Sequence, residues 1–196
     1  TPTLSSAASD VYKRQDCGPA CLSLCQDVQG ETFEYPEEFF KERVHNIRRP
    51  KPDDFQIKQA IERIKNSKYP IIISGGGVFY SDAMDELGNF AVKHNIPVTQ
   101  TVMGYSTMKR DHSHFVGPIG GLGGKAANNL AKETDLAICI GTKLADFTTG
   151  SWANFENPEF KLVSINIARH DANKHLAEAV IGDAKVSLIE LSNALG

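Results

Sequence analysis

Residues Ile72–Ala83 read IISGGGVFYSDA. An apolar run ends in Gly75, Gly76 and Gly77, and a polar stretch of helical character follows. Glycine loses more conformational freedom on folding than any other residue, so three in a row mark a tight turn or a close backbone approach. Two physical readings fit. The stretch is a phosphate cradle at the mouth of a helix, or it is a sharp handover from strand to helix.

The flanking texture sets the fold class. Upstream, YPIIIS reads as an apolar strand. It follows FQIKQAIERIKNSK, a helix that Asp53 or Asp54 can cap, with Ile57, Ala60, Ile61 and Ile64 on one stripe. Downstream, SDAMDELGNFAVKHN is a second helix, with Ala83, Met84, Leu87 and Ala91 on one face. IPVTQT is a strand. GGKAANNLAKET is a helix with Ala127, Leu130 and Ala131 inward. DLAICIG, FKLVSINI and AEAVIGD read as strands, and Asp183 caps a closing helix, DAKVSLIELSNAL. Strands alternating with helices predict a parallel sheet, and continuous apolar strands predict burial on both faces. The expected architecture over residues 51–196 is therefore an α/β, doubly wound, Rossmann-like parallel sheet.

The rest of the chain lacks that pattern. Residues 1–15 are rich in Ser and Ala and read as a disordered arm or a non-native scar. Within 16–30, PACLSLCQDV reads as a strand, and 31–50, with its prolines and charges, reads as a linker. Cys17, Cys21 and Cys25 have the wrong spacing for a zinc site and read as small, reduced residues. The net charge of −3 and the scattered Lys and Arg argue against a nucleic-acid or polybasic membrane partner. No apolar run approaches the roughly 20 residues of a membrane span, and the first residues lack a signal peptide's apolar centre. A cytoplasmic location is the resulting expectation.

Ligands of such folds gather outside the carboxyl ends of the strands. The candidate loops are Gly75–Gly77, TVMGYST, GTKLADFTTGSW and NIARHDANKH, with GPIGGLGGKAAN opening a helix. Gly75 and Gly77 fit the first two places of a dinucleotide fingerprint, but Tyr80 stands at the third. Gly121, Gly123 and Ala126 fit its looser form, in a stretch that reads as following a loop instead of a strand. His112 and His114 read as solvated loop residues, and His170 and His175 as surface residues. Asp146 could accept a substrate hydroxyl or cap the next turn. No metal ligand set and no nucleophile elbow stands out.

The order of these motifs resembles the central domain of thiamine-diphosphate-dependent enzymes. The resemblance rests on YPIIISGGG, IPVTQTVMG, the loop histidine, GPIGG, DLAICIGTK and VIGDA, in that order. It covers about Lys51 to Leu195, and it makes residues 16–30 the last strand of a preceding pyrimidine-binding domain. QDVQGETFEYPEEFF, DFTTGS and DANKH look most like the branch that opens a cyclic diketone by C–C hydrolysis in myo-inositol catabolism.

The resemblance implies thiamine diphosphate and Mg²⁺ held by neighbouring domains of a longer, homo-oligomeric parent. It implies no catalytic residue here, because IGDAKV has Ala where the family's Gly-Asp-Gly metal motif has its second glycine. Some relatives bind FAD or ADP in this domain. The matching positions are Gly75, Gly76, Gly77, Gly120, Gly123, Gly141, Thr142 and Lys143. Lys143 stands where Arg is usual, replacing a planar fork by a point charge. The expectation is a non-catalytic middle domain of such a hydrolase, without flavin. The alternatives are an FAD-binding middle domain of an acetolactate-synthase-like enzyme and a free-standing nucleotide-binding module.

Overall fold

The computed structural model describes residues 23–42, 44 and 48–196. The chain divides into two compact units, Thr1–Arg48 and Arg49–Gly196.

In the first unit, Gln26–Gln29 forms a single helical turn, α1, and Glu37–Phe40 a 3₁₀ turn after Pro36. This corrects the strand expected over PACLSLCQDV in its described part, Ser23–Val28; Pro19–Leu22 of the same expectation lie outside the described residues. A strand needs ladder partners for its backbone groups. In this unit no described residue supplies them. The Gln29 side chain instead donates to Leu24 O at 3.0 Å.

The second unit carries the sheet. Its strands are β1 (Pro70–Ser74), β2 (Val98–Gln100), β3 (Phe115–Pro118), β4 (Leu136–Ile140), β5 (Lys161–Asn166) and β6 (Glu178–Ile181). All pairs are parallel, in the order β3-β2-β1-β4-β5-β6. The order reverses between β1 and β4, which makes their shared exit the topological switch point.

The helices are α2 (Asp54–Asn66), α3 (Gly76–Tyr80), α4 (Met84–His94), α5 (Lys125–Glu133), α6 (Asp146–Thr149), α7 (Arg169–Ala172) and α8 (Ala184–Leu195). Asp53 caps α2 by accepting from Phe55 N–H. The helix expected from Ser81 begins at Met84 instead, and the glycines themselves open the short α3.

Both sheet faces are buried, as the unbroken apolar strands require. Ile72, Val98, Ile138 and Val163 meet Ile57 and Ala60 of α2, Leu87 and Phe90 of α4, and Leu188 of α8. On the opposite face, Ile71, Ile73, Ala137 and Cys139 meet Ala127 and Ala131 of α5, with Trp152, Phe155 and Phe160 closing the edge. Ile71, Ile72 and Ile73 have no exposed surface. Each such side chain contributes about 1.5–3 kcal/mol by leaving water.

Polar clamps fix the strand entries. Asp135 accepts from Ser67 Oγ and from the amides of Lys68 and Tyr69, which seats the start of β1 beside β4. Burial alone would raise the Asp135 pKa, but these hydrogen bonds outweigh it and hold the carboxyl below its ordinary range.

One half-buried histidine makes the fold sensitive to pH. His94 packs on Phe90 with ring centroids 4.6 Å apart, and its Nε2 is buried without a partner among the described residues. Burial, helped by the Lys93 ammonium, lowers its pKa from the ordinary 6.5. A depressed folded-state value means that the unfolded chain takes up the proton first as pH falls. Stability should therefore drop as pH falls through about 6.5 toward the folded-state value. Urea midpoints at about pH 7.5 and about pH 5.5 measure the drop, which His94→Gln should reduce. An equal drop in that variant would remove His94 as its cause.

Candidate functional site

The glycine-rich exits converge on the switch point, where β1 and β4 pair with Ser74 opposite Ile140. A Cβ placed on Gly75 would lie 2.4 Å from Gly141 O, and one on Gly77 would lie 2.6 Å from Gly141 Cα. Gly141 itself sits at φ +59, and a Cβ there would meet Gly77 Cα at 2.5 Å. The two turns thus touch through bare backbone. Gly104, after β2, adds a third close approach, since its Cβ would lie 2.2 Å from Ser74 O.

The amides at these exits are largely engaged within the protein. Gly75 N–H donates to Ile140 O at 2.8 Å and Gly77 N–H to Gly141 O at 2.9 Å. Gly141 N–H donates to Ile165 O at 2.8 Å. Thr142 is buried, its Oγ1 accepting from Leu144 N–H and its carbonyl from Asn166 Nδ2. Lys143 is exposed beside it.

Gly120 and Gly123 occupy a second locus at the exit of β3. A Cβ on Gly120, at φ +104, would lie 2.0 Å from Phe147 O. Gly120 N–H donates to Asn128 Oδ1, which returns a bond from Nδ2 to Gly120 O. Gly123 N–H donates to Gly120 O at 2.8 Å. Rather than following a loop, this stretch follows β3 and leads into α5, so the strand-to-helix context is present. The candidate positions therefore form two groups, Gly75, Gly76, Gly77, Gly141, Thr142 and Lys143 at the switch point, and Gly120 and Gly123 toward the sheet edge. The segment after Gly141 leads into α6, whose Phe147 carbonyl lies against Gly120, and so joins the two groups.

A cleft of about 550 Å³ opens at the sheet edge, lined by Gln100, Thr101, Tyr105, Arg110, Phe115 and Pro118 among others. Gln100 Oε1 is buried there without a partner among the described residues. Sequence reasoning missed Gln100, because a lone polar residue at a strand end carries no periodic signal.

The acidic candidates have other tasks. Asp183 is 5% exposed at its side chain and accepts from Arg49 Nη1 at 3.0 Å and Ser81 Oγ at 2.9 Å. Its second oxygen accepts from the amides of Lys185 and Val186 at the start of α8. A carboxylate already serving four donors, one of them a guanidinium, is not a site for Mg²⁺ or for its diphosphate. Among the described residues no cluster of three His, Cys, Asp or Glu could hold a metal ion. Asp146 opens α6, is exposed, and accepts from Ser151 Oγ at 3.3 Å. His112 is half-buried, its ring 3.3 Å from where a Cβ on Gly88 would lie, and His114 meets Asn95 Oδ1 at 3.1 Å. His170 and His175 are exposed.

Comparison with known proteins places this geometry. Residues 57–191 match the family described as thiamine pyrophosphate enzyme, central domain. The chain is 46% identical over 180 residues to the 3D-(3,5/4)-trihydroxycyclohexane-1,2-dione hydrolase of Clostridium perfringens, covering 92% of this chain and 28% of that protein. It is 45% identical to a hydrolase of the same name from Bacillus cereus, with the same coverage. The chain thus spans little more than a quarter of the length of these curated relatives. Among solved structures, a Mycobacterium smegmatis protein described as thiamin diphosphate-dependent superposes with a TM-score of 0.61 at 22% identity, covering 78% of this chain and 30% of that one. Benzoylformate decarboxylase from Polynucleobacter necessarius does so with a TM-score of 0.61 at 20% identity, covering 83% and 30%. At these identities the superpositions establish the fold alone.

Proposed function

We propose, for a chain that belongs to the thiamine pyrophosphate enzyme central-domain family, that it is the middle layer of a longer hydrolase acting on a trihydroxycyclohexane-dione. The observation that carries this reading is the 46% identity over 92% of the chain to hydrolases bearing that substrate in their name. The family uses thiamine diphosphate, and in this reading Mg²⁺ and the cofactor sit on neighbouring domains of the same polypeptide. Support comes from the saturated Asp183 carboxylate, which leaves the Gly182-Asp183-Ala184 turn no ligand to offer. The longer protein is expected to be a homo-oligomer. We place it in the cytoplasm, a reading favoured by the free, buried Cys139 thiol.

In the same reading, Gly75, Gly76, Gly77, Gly120, Gly123, Gly141, Thr142 and Lys143 shape the exits of the sheet and hold no flavin or ADP. Support comes from the amides of Gly75, Gly77, Gly123 and Gly141, which already donate to carbonyls within the protein.

The test uses the longer polypeptide with thiamine diphosphate, Mg²⁺ and the cyclic dione. Ring-opening hydrolysis, absence of flavin absorbance, and an inactive 196-residue chain are expected. Hydrolysis by the short chain, or a stoichiometric flavin in the longer one, would overturn the reading.

A further inference from the structure

Residues 31–42 read ETFEYPEEFFKE. Phe33, Tyr35, Phe39 and Phe40 are 69%, 56%, 64% and 73% exposed. They nevertheless gather on one another. Ring centroids lie 5.4 Å apart for Phe33–Tyr35, 5.0 Å for Tyr35–Phe39 and 5.3 Å for Phe39–Phe40. The 3₁₀ turn after Pro36 makes the cluster, with Phe39 N–H donating to Pro36 O at 2.8 Å. Aromatic side chains bury about 150–250 Å² each when covered, so a cluster left open to water marks a contact surface.

The charge around the rings selects the partner. Glu31, Glu34, Glu37, Glu38 and Glu42 alternate with them along residues 31–42, against Lys41 alone. Five carboxylates repel nucleic acid and anionic lipid. A second copy would bring like charges face to face, which costs affinity. An apolar groove rimmed by Lys and Arg satisfies both the rings and the carboxylates. The curated relatives are several times longer than the stretch matched here, so most of such a polypeptide lies outside it.

We propose that residues 31–42 are a docking segment whose aromatic cluster seats in a basic-rimmed apolar groove on a neighbouring domain of the same longer polypeptide. The proposal rests on the reading of the chain as the middle layer of a longer enzyme.

Hydroxyl-radical footprinting of the four rings tests it, in the 196-residue chain and in the longer protein. Labelling should fall by about fivefold in the longer protein, where the groove would cover the rings. Reversing Glu34, Glu37 and Glu38 to Lys should restore it. Equal labelling in the two proteins would overturn the proposal. So would concentration-dependent protection of the short chain, which would mean a second copy, or protection that survives the charge reversal.

Calorimetry of the longer protein with thiamine diphosphate and Mg²⁺ separates the two claims. Protected rings without cofactor binding would support the docking segment and sink the enzymatic reading. Cofactor binding with open rings would sink the docking segment alone.

Discussion

Replacing Asp183 by alanine is expected to lower folding stability by about 3 kcal/mol, because it strands a guanidinium and a hydroxyl and removes a helix cap together. The carboxylate is 5% exposed and accepts from Arg49, Ser81 and the Lys185 and Val186 amides in the first turn of α8. Its backbone amide also donates to Pro50 O at 2.9 Å. Arg49 is one-third exposed, so water partly relieves its loss, and the effect falls at the low end for broken buried pairs. Asp183→Asn keeps an acceptor for the cap and should lose about half as much. Urea unfolding followed by far-ultraviolet circular dichroism measures both variants. A loss below about 0.5 kcal/mol for the alanine variant would mean that the network carries no net stability.

Gly141→Ala is expected to cost more, about 4 kcal/mol, and to leave part of the expressed protein unfolded. Two penalties combine there. The added methyl meets Gly77 Cα at 2.5 Å and its carbonyl carbon at 2.8 Å, and neither is a side chain that can swing away. The residue also sits at φ +59, which disfavours any Cβ. Gly117→Ala is the control, since Gly117 is at φ +123 with nothing within 4 Å of a Cβ. It should show only the backbone penalty, about 1–3 kcal/mol. Equal losses at the two positions would show that β1 and β4 do not exit in bare contact.

The sheet was legible where burial on both faces imposed an unbroken apolar run. Ile71–Ile73 and Leu136–Ile140 could be read from their side chains alone, and so could the cap at Asp183, while the cap of α2 narrowed only to Asp53 or Asp54. β3 was not legible. It is four residues long, sits at the sheet edge, and contains Gly117 and Pro118, both poor strand residues. Missing it also cost the context of Gly120 and Gly123.

Nor could the sequence pair distant residues. Asp183 announces a helix start through its local spacing, but its bond to Arg49 spans 134 positions. The contact of Gly75 and Gly77 with Gly141 depends on the register that sets Ser74 against Ile140. Three consecutive glycines announce a close approach without saying to what.

The position of β1 at the centre of the sheet governs how the molecule is made. Pro70 must wait for Leu136 to leave the ribosome before its second neighbour exists. Parallel pairing across such a span folds slowly, because a long loop closes before any contact compensates. A nascent chain paused after β2 would expose the bare flank of β1 to other nascent chains. The latch between Arg49 and Asp183 forms later still, once Asp183 has followed β6.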